Sequence, residues 1–133
     1  MAKNNSLIII PTFNEKENVD KMIDAVLELD HSFHVLFVDD NSPDGTADII
    51  SKRIAGSAGR VHLEKRKGKQ GLGTAYIHGF KWAIKNQYEF VFEMDCDFSH
   101  NPNDLNRLQQ ELKNGTDLVI GSRYCSGGKI KNW

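Results

Sequence analysis

A chain of 133 residues with 39% hydrophobic and 26% charged side chains has the composition of one globular domain with a proper core. Its formal net charge of -1 argues against a generally basic nucleic-acid binder and against an acidic tail, so any polyanion has to be met by local patches. Cys96 and Cys125 form no CxxC pair, which disfavours a disulfide framework and a zinc site and points to a reducing, cytoplasmic setting. The apolar run near the N-terminus is too short for a signal peptide, and no stretch approaches the roughly 18 apolar residues that span a bilayer.

In chain order, "SLIII" (6–10) and "FHVLFV" (33–38) are short apolar runs stopped by polar or turn residues, as expected of parallel strands buried on both faces. Between them Val19, Met22, Ile23 and Val26 follow the i, i+3, i+4, i+7 spacing of one helical face. A weaker helix is predicted over "TADIISKRIA" and a strand near "VHLE". Helical spacing returns at Leu72, Ala75, Tyr76, Gly79, Phe80, Ala83 and Ile84, with Gly71 and Gly73 expected to permit close packing at its start. The strand "EFVFEM" follows, expected to run on into Asp95. Leu105, Leu108 and Leu112 mark a further helix, with Asn101 or Asn103 as cap and Pro102 at its start, and "DLVIGS" reads as a last strand. Strand and helix thus alternate four times before a final strand, which means an α/β sandwich around a largely parallel sheet.

Ligands of such sheets sit beyond the carboxyl ends of the strands, where "PTFNE", "DDNSPDGT" and "DCDFSH" all fall. Asp44 suits turn and helix-cap work as well as ligand binding, whereas Asp40 is a candidate acceptor for the N–H or O–H groups of a base or ribose. Lys65, Arg66, Lys67 and Lys69 crowd before a glycine-rich helix start. Such a run is usually just solvated, but here it feeds a helix N-terminus that favours an anion, so Lys69 is assigned to phosphate or base. The pattern is neither GxxxxGK[ST] nor GxGxxG, which speaks against an ATPase and a dehydrogenase.

Asp95 and Asp97, at i and i+2 of an extended chain, share a face. Two like charges so close are tolerated when solvated, when they share a proton, or when they hold a cation, and oxygen ligands without histidine or thiolate suit Mg²⁺ or Mn²⁺. Cys96 points to the other face and is expected to pack, Ser99 lies on the carboxylates' face, and His100 is expected to be structural. Arg123 in "GSRYCSGG" offers a forked guanidinium for a phosphate, or simply snorkels at the sheet edge.

"PTFNEKEN", "VDDNSPDGT", "GLGTAYIHGFKWA", "MDCDFSHNP" and "GSRY", in that order, resemble the family 2 inverting glycosyltransferases, most nearly those that transfer mannose to dolichyl or polyprenyl phosphate. The resemblance implies a three-layer α/β/α nucleotide-diphospho-sugar transferase (GT-A) fold, with residues 1–133 forming its nucleotide-sugar-binding part. Pro11, Phe13 and Glu15 would line the nucleotide pocket with Val38 and Asp40. Asp95, Cys96 and Asp97 would meet the diphosphate, Asp95 and Asp97 holding Mg²⁺ or Mn²⁺, with Ser99 where some members carry a metal-binding Gln. Asp97 and Arg123 would be the catalytic pair, Arg123 facing the phosphates of donor or acceptor, and Phe13 stands where Tyr is common. The implied reaction moves mannose from GDP-mannose to a polyprenyl phosphate at the cytosolic membrane face, through a chain with no transmembrane segment and no nucleic-acid partner. A UDP-sugar donor with another acceptor, or a nucleotide-binding module without turnover, are the alternatives. Family members continue for roughly another hundred residues, so this resemblance implies a chain cut inside the acceptor loop.

Overall fold

The structure, a computed structural model, describes residues 6–68, 71–98 and 101–113. The elements are β1 (Ser6–Thr12), α1 (Val19–Leu27), β2 (Phe33–Asp39), α2 (Thr46–Ile54), β3 (Val61–Lys65), α3 (Leu72–Lys85), β4 (Phe90–Glu93) and α4 (Asp104–Lys113). The four strands pair in parallel in the order β3-β2-β1-β4. After β3 the chain crosses back over the sheet and lays β4 on the far side of β1. The order therefore reverses between β1 and β4, and a crevice opens there at the carboxyl ends. "DLVIGS" lies outside the described residues.

Both faces of the sheet are covered, which is why β1 and β2 are apolar without alternation. Ile8, Ile10, Val35 and Phe37 face α1, α2 and α4, and all four residues of the predicted α1 stripe are fully buried among them, as are Leu105 and Leu108 of α4. Leu7, Ile9, Leu36 and Val38 face α3, meeting Ala75 and Ala83 with Tyr76, Phe80 and Trp82 packed alongside. Gln109 of α4 donates to Ser6 Oγ (2.6 Å) and Ser32 Oγ (3.0 Å), tying the helix to the start of the sheet.

Three expectations are corrected here. Ile84, counted in the α3 stripe, is 77% exposed, and Trp82 packs on the sheet side in its place. The glycine that permits close packing is Gly79, where an added Cβ would lie 2.6 Å from Ile9 Cγ2; Gly73 faces open space, and Gly71 serves instead through its backbone at φ +99°. Finally β4 stops at Glu93, so Asp95 and Asp97 sit in the turn that follows rather than on a strand.

Candidate functional site: a cavity at the carboxyl ends of the strands

Each loop above the sheet is held by its own side chains. Asp39, fully buried at the end of β2, accepts from Thr12 Oγ1 (2.7 Å), Ser42 Oγ (2.6 Å) and the Ser42 N–H (3.0 Å), and so holds the loops after β1 and β2 together. Three more bonds stitch the same loops: Asn14 N–H to Ser42 Oγ, Glu15 N–H to Thr46 Oγ1, and Lys16 N–H to Asp44 Oδ2. Asp44 also accepts the Thr46 N–H at 3.0 Å, which is the turn-and-cap work its position predicted. Burial pushes its carboxyl up, but the bonds from Thr46 and Lys16 outweigh this and hold it below the usual range.

Over these loops lies a cavity of about 210 Å³. The end of β1 and the loop after it contribute Pro11, Thr12, Phe13 and Glu15; Asp40 follows directly on β2; the turn after β4 supplies Asp95, Cys96 and Asp97. Gly71 and Ala75 close it from the start of α3. Seven residues expected at the site, Pro11, Phe13, Glu15, Asp40, Asp95, Cys96 and Asp97, are thus brought to one place. Val38 is not among them: its side chain is fully buried beneath, in the cluster facing α3. Lys69, Ser99, His100, Arg123 and Cys125 lie outside the described residues.

Sequence alone missed the partner of Asp40. Arg66 meets it with a fork, Nε to Oδ1 at 2.6 Å and Nη2 to Oδ2 at 2.8 Å, and both side chains are nearly buried. Arg66, named only as one of the basic run, is engaged within the protein, and Asp40 is half of an ion pair. No local pattern announces a pair 26 residues apart.

Acidity concentrates at the turn after β4. Tyr76 of α3, also unforeseen here, donates its hydroxyl to Asp95 Oδ1 at 3.4 Å; burial first, then the charges of Asp95 and Glu93, raise its pKa, so it stays a donor. Glu93 is pushed up to about 7 by burial and then by Asp95. The Cys96 thiol, 1% exposed, is pushed up to about 12 by burial and then by Glu15, Asp97 and Asp95, which makes it packing rather than a nucleophile. Phe98 closes the turn at φ 62°, a backbone region that costs a bulky residue strain.

The donor chemistry of this corner fits a hard divalent cation. Asp95 and Asp97 offer carboxylate oxygens to one cavity, and among the described residues no group of three or more His, Cys, Asp or Glu forms a complete cage. An ion held there takes its remaining oxygens from a ligand or water, as Mg²⁺ and Mn²⁺ do on phosphates.

A second cavity, about 530 Å³, lies at the opposite end of the sheet, lined by His31, His34, Ser57 and Arg60 among others. There Arg60 donates to five carbonyls, those of Val26, Leu27, Leu29, Asp30 and Phe33, closing the end of α1. Nearby, the Tyr88 hydroxyl lies 2.8 Å from His34 Nδ1 and 3.5 Å from His62 Nε2, with Trp82 against His62.

A parallel sheet with one order reversal, and a cavity with paired carboxylates at that reversal, make this an open α/β fold with its ligand site at the topological switch point. The chain belongs to glycosyl transferase family 2, whose sequence model matches residues 7–133. It is 44% identical over 128 residues to a polyprenol monophosphomannose synthase of Mycolicibacterium smegmatis, covering 96% of this chain and 48% of that protein. It is 47% identical to an undecaprenyl-phosphate mannosyltransferase of Micrococcus luteus (96% and 51% covered) and 38% to a dolichol-phosphate mannosyltransferase of Pyrococcus furiosus (95% and 35%). The chain spans about half the length of the first two relatives and about a third of the last. Among solved structures, the fold matches a Pyrobaculum calidifontis mannosyltransferase in complex with GDP-Man and Mn²⁺ (TM-score 0.56, 22% identity, 62% of this chain and 25% of that one). It also matches Staphylococcus aureus TarS in complex with UDP-GlcNAc (0.67, 21%, 83% and 31%) and a Mycobacterium tuberculosis glucosyl-3-phosphoglycerate synthase with Mn²⁺ and UDP (0.63, 18%, 86% and 42%).

Proposed function

We propose that residues 1–133 carry the nucleotide-sugar-binding part of a transferase that moves mannose from GDP-mannose to a polyprenyl phosphate with inversion. The observation that carries this is the convergence of Asp95 and Asp97 on one cavity with Pro11, Phe13, Glu15 and Asp40. The names of the three relatives, all mannose transferases acting on polyprenol-type phosphates, supply the sugar and the acceptor class. GDP as the donor nucleotide is part of the proposal, supported by the GDP-Man bound to the Pyrobaculum relative in fold.

In this proposal the nucleoside lies against Pro11, Phe13 and the Asp40–Arg66 pair, and the diphosphate reaches toward Asp95 and Asp97. Glu15 stands beside them. Mg²⁺ or Mn²⁺, when bound by the two carboxylates, supplies neutralisation of the charge that builds on the departing diphosphate. Asp97 is the carboxylate assigned to catalysis, and Arg123, with Lys69 and Ser99, is proposed to complete the phosphate contacts. The acceptor phosphate is already an oxyanion near neutral pH, so the transfer needs no general base from the chain. In this proposal the transfer takes place at the cytosolic membrane face, peripherally; this rests on the acceptor class named for the relatives. No helix among the described residues is long and apolar enough to cross a membrane.

A UDP-sugar donor is the second proposal, favoured by two relatives in fold that hold UDP or UDP-GlcNAc. Calorimetric titration with GDP, UDP and GDP-mannose, with and without Mn²⁺, in the wild type and in Asp97→Ala, separates the two. Metal-dependent binding of GDP that collapses in the variant is the expected result. Preference for UDP would replace the donor, and equal metal-free binding of both would remove the carboxylates from the site.

A further inference from the structure

One side chain, set at the end of β3, joins two of the elements whose ends make the cavity. Arg66 follows β3, and its own N–H is fixed to Asp39 O at 2.8 Å. Its guanidinium spans the gap from Asp40 at the end of β2 to the start of α3, where Nη1 donates to Thr74 Oγ1 (2.9 Å) and Nη2 to Gly71 O (3.3 Å). The Gly71 carbonyl also receives Thr74 Oγ1 (2.9 Å) and the Ala75 N–H (3.2 Å), so three donors hold the one peptide group.

We infer that Arg66 is a positioning residue: it sets the first turn of α3 against Asp40 and thereby fixes the spacing between the nucleoside end and the diphosphate end of the cavity. Gly71 and Ala75 line that cavity, and so does Asp40, so the brace runs along its wall. Stability alone gives no reason for an ion pair here, since well-packed apolar residues of similar volume commonly do as well as a buried pair. The directional need is specific. Only a planar fork can face both oxygens of one carboxylate and still reach a hydroxyl and a carbonyl on another element, and a lysine ammonium of the same charge cannot.

The site assignment of the preceding section enters this inference only through the ligand, so the test has one arm without any ligand. Hydrogen exchange at the amides of α3's first turn is compared in wild type, Arg66→Lys and Thr74→Val. Thr74 is exposed, so the second variant keeps the fold if the first does not. Exchange there is expected to rise about tenfold in Arg66→Lys and less in Thr74→Val, the scale of coupling inside one hydrogen-bond network. Unchanged exchange in both overturns the brace.

The second arm titrates GDP and guanosine with Mn²⁺. The expected result is a loss of about tenfold for GDP in Arg66→Lys, a smaller loss in Thr74→Val, and a lesser change for guanosine in each. Equal losses for both probes in Arg66→Lys with none in Thr74→Val would mean that Arg66 acts on the nucleoside side alone, which overturns the positioning of α3. Faster exchange with undiminished GDP affinity would make the brace purely structural. If the wild type binds neither GDP nor UDP, the donor-site proposal fails, and the exchange arm still decides whether Arg66 sets α3.

Discussion

The two ends of the sheet carry opposite kinds of polar chemistry. At the amino ends, the larger cavity is lined by groups that serve the fold itself: the Arg60 guanidinium is spread over five backbone carbonyls, and His34 is joined to Tyr88 behind it. At the carboxyl ends the cavity is smaller, yet three loops and a helix start bring carboxylates together at its wall. Volume therefore does not locate the site. A buried cation shared among main-chain oxygens completes a helix terminus that would otherwise hold orphan acceptors, whereas gathered carboxylates raise an electrostatic cost that the fold has no need of.

Substitutions that treat the two ends differently test this contrast. The largest effect on stability is expected from Arg60→Ala, which leaves five carbonyls short of a donor and should cost about 3 kcal/mol or more in urea denaturation. Nucleotide affinity, measured where the variant is still folded, should stay as in the wild type. The mirror experiment is Asp97→Asn. Metal-dependent GDP affinity should fall by about a hundredfold, consistent with the several kcal/mol a bound metal contributes, while stability changes by less than about 0.5 kcal/mol. A variant that lost both properties at either end would break the distinction.

A smaller effect separates the ends by pH. Burial first, then the charges of His62 and Arg60, lower His34 from 6.5 to about 4. The unfolded chain thus takes up a proton near pH 6.5 that the folded chain refuses until about pH 4. The contribution is complete above pH 6.5 and is lost as pH falls toward 4, amounting to about 2 kcal/mol between pH 7 and 5. His62, lowered by burial, adds in the same direction. Denaturation at the two pH values should show this slope in the wild type and a shallower one in His34→Gln. Smallest is Gly79→Ala: the new methyl meets Ile9 in the sheet, and the overpacking, expected to exceed the gain in helix propensity, should cost about 1–2 kcal/mol net.

How far the sequence foretold these ends follows from the range over which each feature is encoded. β1, β2 and the α1 stripe were legible because burial on both faces, or along one face, writes a periodic pattern into adjacent residues. That the stretches holding Pro11, Phe13, Glu15, Asp95, Cys96 and Asp97 meet at one end of the sheet was legible because the carboxyl-end rule needs only strand order and motif position, whereas the choice of those individual residues came from the family resemblance. The end of β4 was not, since an acidic turn can continue an extended chain without changing composition. Ile84 fitted the period but is exposed, and Trp82 packs against the sheet in its place. The pairing of Asp40 with Arg66, the carbonyl ring around Arg60 and the work of Gly79 all depend on residues brought together across the fold, and nothing in the neighbouring sequence marks them.

The close seat of Gly79 on Ile9 has a mechanical consequence. With helix backbone this near a fully buried strand side chain, α3 has little freedom to tilt or rise, because any sliding would drive main-chain atoms into a densely packed layer. The sheet and the middle of α3 therefore form a rigid floor beneath the cavity, one that resists deformation from either side.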